Sequence, residues 1–127
     1  MGRSIYADTV GNNKGDTWVH KFWVAIQPSD VSDYLDTYEP QQLLADLSVD
    51  NEAEIKSKVT ELKEKFKKTF GLDYGSYEPE NSVTKIDEKE RNRQKLASRI
   101  NLGEHLLETI ENMKAAGIEQ QQLTIEC

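Results

Sequence analysis

The sequence predicts an α+β domain: a small antiparallel sheet of about three strands packed against a long antiparallel helical hairpin, in the order β-β-(short α)-α-α-β. Three observations carry this. Residues Trp18 to Gln27 alternate in the period-two manner of a strand. Ile55, Val59, Leu62 and Phe66 recur at helical spacing and stop before Gly71. Leu96, Ile100, Gly103, Leu107 and Ile110 repeat that spacing over a longer run that stops before Gly117. A chain of 127 residues suits one domain, here spanning residues 1–127.

Ser4 to Ala7 is a short β-prone run. In the next strand, Trp18, His20, Phe22, Val24 and Ile26 form the apolar face, and Val19, Trp23 and Ala25 make the other face partly apolar. Such a strand is expected at the centre of a sheet or covered on both sides. Gly11 to Asp16 is rich in turn formers and joins the two runs as a hairpin, and Pro28 ends the second. Ser29-Asp30 is placed to cap a short helix through Tyr34 and Leu35. Pro40 suits the first turn of another running through Leu47, and either segment could instead be a helical turn.

The first long helix is expected from Asn51 to Phe70, with Asn51 and Glu54 at capping-box spacing and Gly71 as its stop. Its apolar stripe is narrow and asks for one partner surface. Glu52–Lys56, Glu54–Lys58, Glu61–Lys65 and Glu64–Lys68 are i,i+4 pairs with the acid N-terminal, the favourable order. The second helix is expected from a Thr84 cap to Ala116, about 48 Å against about 30 Å for the first, so its N-terminal turns overhang the core. Gly103, in the middle of its apolar arc, costs about 1 kcal/mol against alanine and points to close approach of another backbone. Leu123 and Ile125 alternate with polar residues as a final strand.

Charge is segregated. The net charge is −7, which disfavours sequence-independent binding to phosphate backbones. From Phe22 to Ile55 there is no Lys or Arg, while Asp30, Asp33, Asp36, Glu39, Asp46, Asp50, Glu52 and Glu54 fall there. Between Lys56 and Lys68 six lysines face Glu61 and Glu64. Lys85 to Arg99 is the basic stretch of the second helix, with Lys89, Arg91, Arg93, Lys95 and Arg99 on its turns. A solvated helix end explains it simply, and a basic arm for an acidic protein or nucleic acid is the sharper reading. Trp23 either lies beneath the small helices or anchors a protein contact, where Trp is enriched.

No catalytic, metal or nucleotide motif stands out. Gly11 to Asp16 lacks the spacing and the Gly-Lys-Ser/Thr ending of a phosphate loop. Glu104, His105, Glu108 and Glu111 form the most metal-like cluster, with His105 and Glu108 at i,i+3. A dimetal site needs matching ligands from a second helix, and the first helix has no His. His20 and Cys127 could form a thiol–imidazole pair only in contact. Asp30, Asp33 and Asp36 lack the glycine turn and distal carboxylate of a calcium loop.

These features predict a small non-enzymatic interaction or regulatory module (adaptor, inhibitor or accessory subunit) that works through acidic and basic faces, with no cofactor. Its candidate contact residues are Trp23, Lys89, Arg91, Arg93, Lys95 and Arg99, and its partner is another protein. The acidic Asp30–Glu54 face could alternatively act as a DNA mimic. A metal-dependent or hydrolytic enzyme would instead use His20, Glu104, His105 and Glu108, and a nucleic-acid modulator would use the Lys85–Arg99 arm. The wide apolar arc of the second helix suggests a homodimer. With one cysteine, no apolar leader and no bilayer-length run, the expected location is the cytoplasm, away from membranes.

Overall fold

A computed structural model describes residues 3–10, 17–24, 28–39, 41–77 and 87–126. In the first two segments the backbone alone is described, Ile5 excepted. The fold is α+β. Strands β1 (Arg3–Val10), β2 (Thr17–Val24), β3 (Leu44–Ser48) and β4 (Gln120–Glu126) form one antiparallel sheet in the order β2-β1-β4-β3. Helices α1 (Glu52–Phe70) and α2 (Glu88–Ala116) form the antiparallel hairpin. Glu52 at the start of α1 meets Lys114 at the end of α2, while Lys63 meets Glu104.

Four strands therefore replace the expected three, because Leu44–Ser48 is a strand rather than a short helix after Pro40. Its Ala45 and Leu47 are buried while Leu44, Asp46 and Ser48 are half-buried, a period of two that no helix can satisfy. Leu43, at φ 55°, turns the chain sharply into it, and Glu39 bridges back to Leu44. Of the two expectations for β2, at the centre of the sheet or covered on both sides, the first is corrected: the described sheet places β2 at an edge and β1 and β4 inside. The segment Pro28–Asp33 winds as a 3-10 helix, shorter than the helix expected through Leu35.

Both long helices start and stop for local reasons. The reciprocal cap lies one turn before its expected place. The Asp50 N–H donates to Ser48 Oγ at 3.1 Å, and the Ser48 N–H donates to Asn51 Oδ1 at 2.9 Å. A 3-10 turn, Val49–Asn51, then leads into α1. Asp87, not Thr84, caps α2, its carboxylate accepting the Glu90 N–H at 2.8 Å. Thr84 and Lys85 lie outside the described residues. At 29 residues α2 is about 43 Å long. Gly71 and Gly117 close the helices in the left-handed region, at φ 69° and 74°. After α2 the Gly117 N–H reaches the Lys114 carbonyl and the Ile118 N–H the Met113 carbonyl, the paired bonds of a Schellman ending.

The core lies between the sheet and the hairpin. Ile5, Ala45, Leu47, Leu123 and Ile125 come from the strands, and the expected α1 stripe of Ile55, Val59, Leu62 and Phe66 meets them. From α2, Ile100, Leu102, Leu106, Ile110 and Met113 are fully buried. These five residues of the apolar arc are thus covered by their own chain, while Leu107 in the same arc is half-buried. Val31, Tyr34 and Leu35 plug the space beside the helices, and Tyr34 donates to the Arg99 carbonyl at 2.7 Å. A Cβ on Gly103 would overlap Val59 Cγ2 and come within 2.6 Å of the Tyr34 hydroxyl oxygen. The close approach inferred from that glycine is thus made by side chains, not by a second backbone.

Candidate interaction surface

The pairs Glu52–Lys114 and Lys63–Glu104 set the register of the antiparallel hairpin, so Lys65, Lys67 and Lys68 stand level with the α2 residues from about 98 to 102, and Lys89, Arg91, Arg93 and Lys95 continue along α2 past the end of α1. Both basic runs thus lie toward the same end of the hairpin. These are two runs that sequence separates by about twenty residues. The opposite end carries Asp50, Glu52 and Glu54 beside Glu108 and Glu111, with Lys56, Lys58 and Lys114 among them.

The cations of the basic end differ in what they touch. Arg93 is held by Glu90 at 2.8 Å, and Arg99, further along α2, by Asp33 at 3.0 Å. Lys63 pairs with Glu104 at 3.2 Å and Lys67 with Asp73 at 3.3 Å. Lys65, Lys68, Lys89, Arg91 and Lys95 are exposed, and none has a carboxylate within salt-bridge distance among the described residues. Of the four i,i+4 pairs expected on α1, Glu52–Lys56 closes, to 4.0 Å. Glu52 makes its shorter contact with Lys114, at 2.7 Å, and that hydrogen bond holds its carboxyl below the usual glutamate range.

Beneath this end sits a compact support. Phe66 packs edge-on against Phe70, Tyr74 and Tyr77, with centroids 5.0, 6.0 and 5.3 Å away. Glu90 is 7% exposed, yet its carboxylate accepts from the Tyr77 hydroxyl at 2.8 Å, from Arg93 Nε at 2.8 Å and from Gln94 Nε2 at 3.2 Å. A buried carboxylate is tolerable when paired and hydrogen-bonded in this way. It straps the chain after α1 onto the first turn of α2. Burial pushes the Tyr74 hydroxyl up to about 12, with the Glu104 carboxylate adding to the shift. The Tyr34 hydroxyl is raised further, again by burial first.

The other candidates are distributed differently. Glu104 is turned to Lys63 on α1, while His105 Nδ1 lies 3.7 Å from Glu108 on its own helix. No group of three or more His, Cys, Asp and Glu side chains comes together to hold a metal among the described residues. His20 and Trp23 sit on β2, paired through the backbone with Ala7 and Ser4, and their side chains are not among those described. Cys127 and the Gly11–Asp16 loop lie outside the described residues, and with them the thiol–imidazole and phosphate-loop readings. An open cleft of about 330 Å³ between Asp33, Tyr34 and α1 gathers Glu54 and Glu61 around Lys58. No helix among the described residues is long and apolar enough to cross a membrane.

Lys65 and Lys68 were missed as surface candidates because sequence presents them as partners of Glu61 and Glu64 on their own helix. The available signal was the charge reversal along α1 combined with the expected hairpin, which together place both basic runs toward the same end of the molecule. Compared with known protein families, curated proteins and solved structures, the chain finds no match.

Proposed function

We propose that this chain is a small non-enzymatic protein-interaction module (an adaptor, inhibitor or accessory subunit) that works through segregated acidic and basic surfaces. The observation that carries this reading is that both basic runs lie toward the same end of the hairpin. Five of those cations have no carboxylate partner among the described residues. Charge placed this way raises encounter rates and fixes orientation with an oppositely charged protein. The candidates Lys89, Arg91 and Lys95 belong to this surface, joined by Lys65 and Lys68. Arg93 and Arg99 serve it indirectly, because their guanidinium groups are engaged with Glu90 and Asp33.

The enzyme reading asks His20, Glu104, His105 and Glu108 to converge, and Glu104 is committed to a lysine across the hairpin. The nucleic-acid reading must overcome a net charge of −7. A cytoplasmic setting suits the interaction module, whose single cysteine offers no internal disulfide. The test is affinity capture with the tagged full chain from its native host, eluted in steps of rising salt and assayed for protein, nucleic acid and metal. A stoichiometric protein released by salt supports the module. A partnerless chain that retains a metal or small molecule sinks it.

A further inference from the structure

We draw no further inference here: the strongest candidate, the exposed face of Lys89, Arg91 and Lys95 on the turns of α2 that continue past the end of α1, belongs to the surface already described, and nothing in the structure shows what covers it.

Discussion

Gly103 shows how one residue reports on three elements at once. Its missing side chain lets α2 sit against Val59 of α1 and the Tyr34 ring between the layers. Gly103→Ala gains about 1 kcal/mol of helix propensity. It loses about 1–3 kcal/mol to overpacking, because Tyr34 is anchored to the Arg99 carbonyl and cannot simply swing away. The expected outcome is a net loss of stability, read as a lower urea midpoint with unchanged slope. Tyr74 makes a pH prediction. Its folded value is pushed up to about 12 from an ordinary 10. The unfolded chain therefore loses this proton first as pH rises. The stability linked to Tyr74 is complete below pH 10 and falls as pH climbs towards 12. A Tyr74→Phe chain should lose less stability than wild type over that window in parallel urea titrations.

Among the elements, the short strand β3 is closed by side-chain to backbone bonds and the start of α2 by a network of side chains. The Thr37 hydroxyl donates to the Asp46 carbonyl at 2.8 Å and accepts the Asp46 N–H at 3.0 Å. With the Glu39–Leu44 bridge on one side and Asn51 on the Ser48 N–H, this closes the outer side of β3 against further pairing. Thr37→Val frees both Asp46 groups. It should cost about 1 kcal/mol and increase concentration-dependent association, seen by light scattering. Glu90 plays the corresponding part at α2. Glu90→Ala removes the acceptor shared by Tyr77, Arg93 and Gln94, and an expected loss of about 2–4 kcal/mol follows from leaving a buried network unpaired. Glu90→Gln keeps an acceptor oxygen and should lose less in the same thermal melts.

Across the whole molecule, stability and charge are unevenly shared. The middle of α2, from Ile100 to Met113, lies against fully buried neighbours, whereas its first two turns have Glu90 as their one buried side chain. Native-state hydrogen exchange should therefore find the amides of residues 92–95 opening well before those of residues 102–110. Uniform protection along α2 would contradict this picture.

The sequence by itself determined the two long helices, their stripes, their glycine stops and the last strand. All of these depend on periodicity and end chemistry within a few residues. It also determined that charge is segregated, since that is a property of the chain's order. Strand β3 was not legible, because five residues containing Leu, Ala and Leu satisfy a helical or a strand period equally, and Pro40 favours a helix start. The edge position of β2 was not legible either, because its two-sided apolar pattern says how it is covered and not how many neighbours bond it. The basic end was half legible: its α2 bases stood out, while the α1 lysines looked spent on their own helix. Only the tertiary structure decided these points. Strand neighbours, the end at which two helices meet and the reach of a helix past its sheet all depend on contacts between residues distant in the chain, and local propensity carries no energy for those.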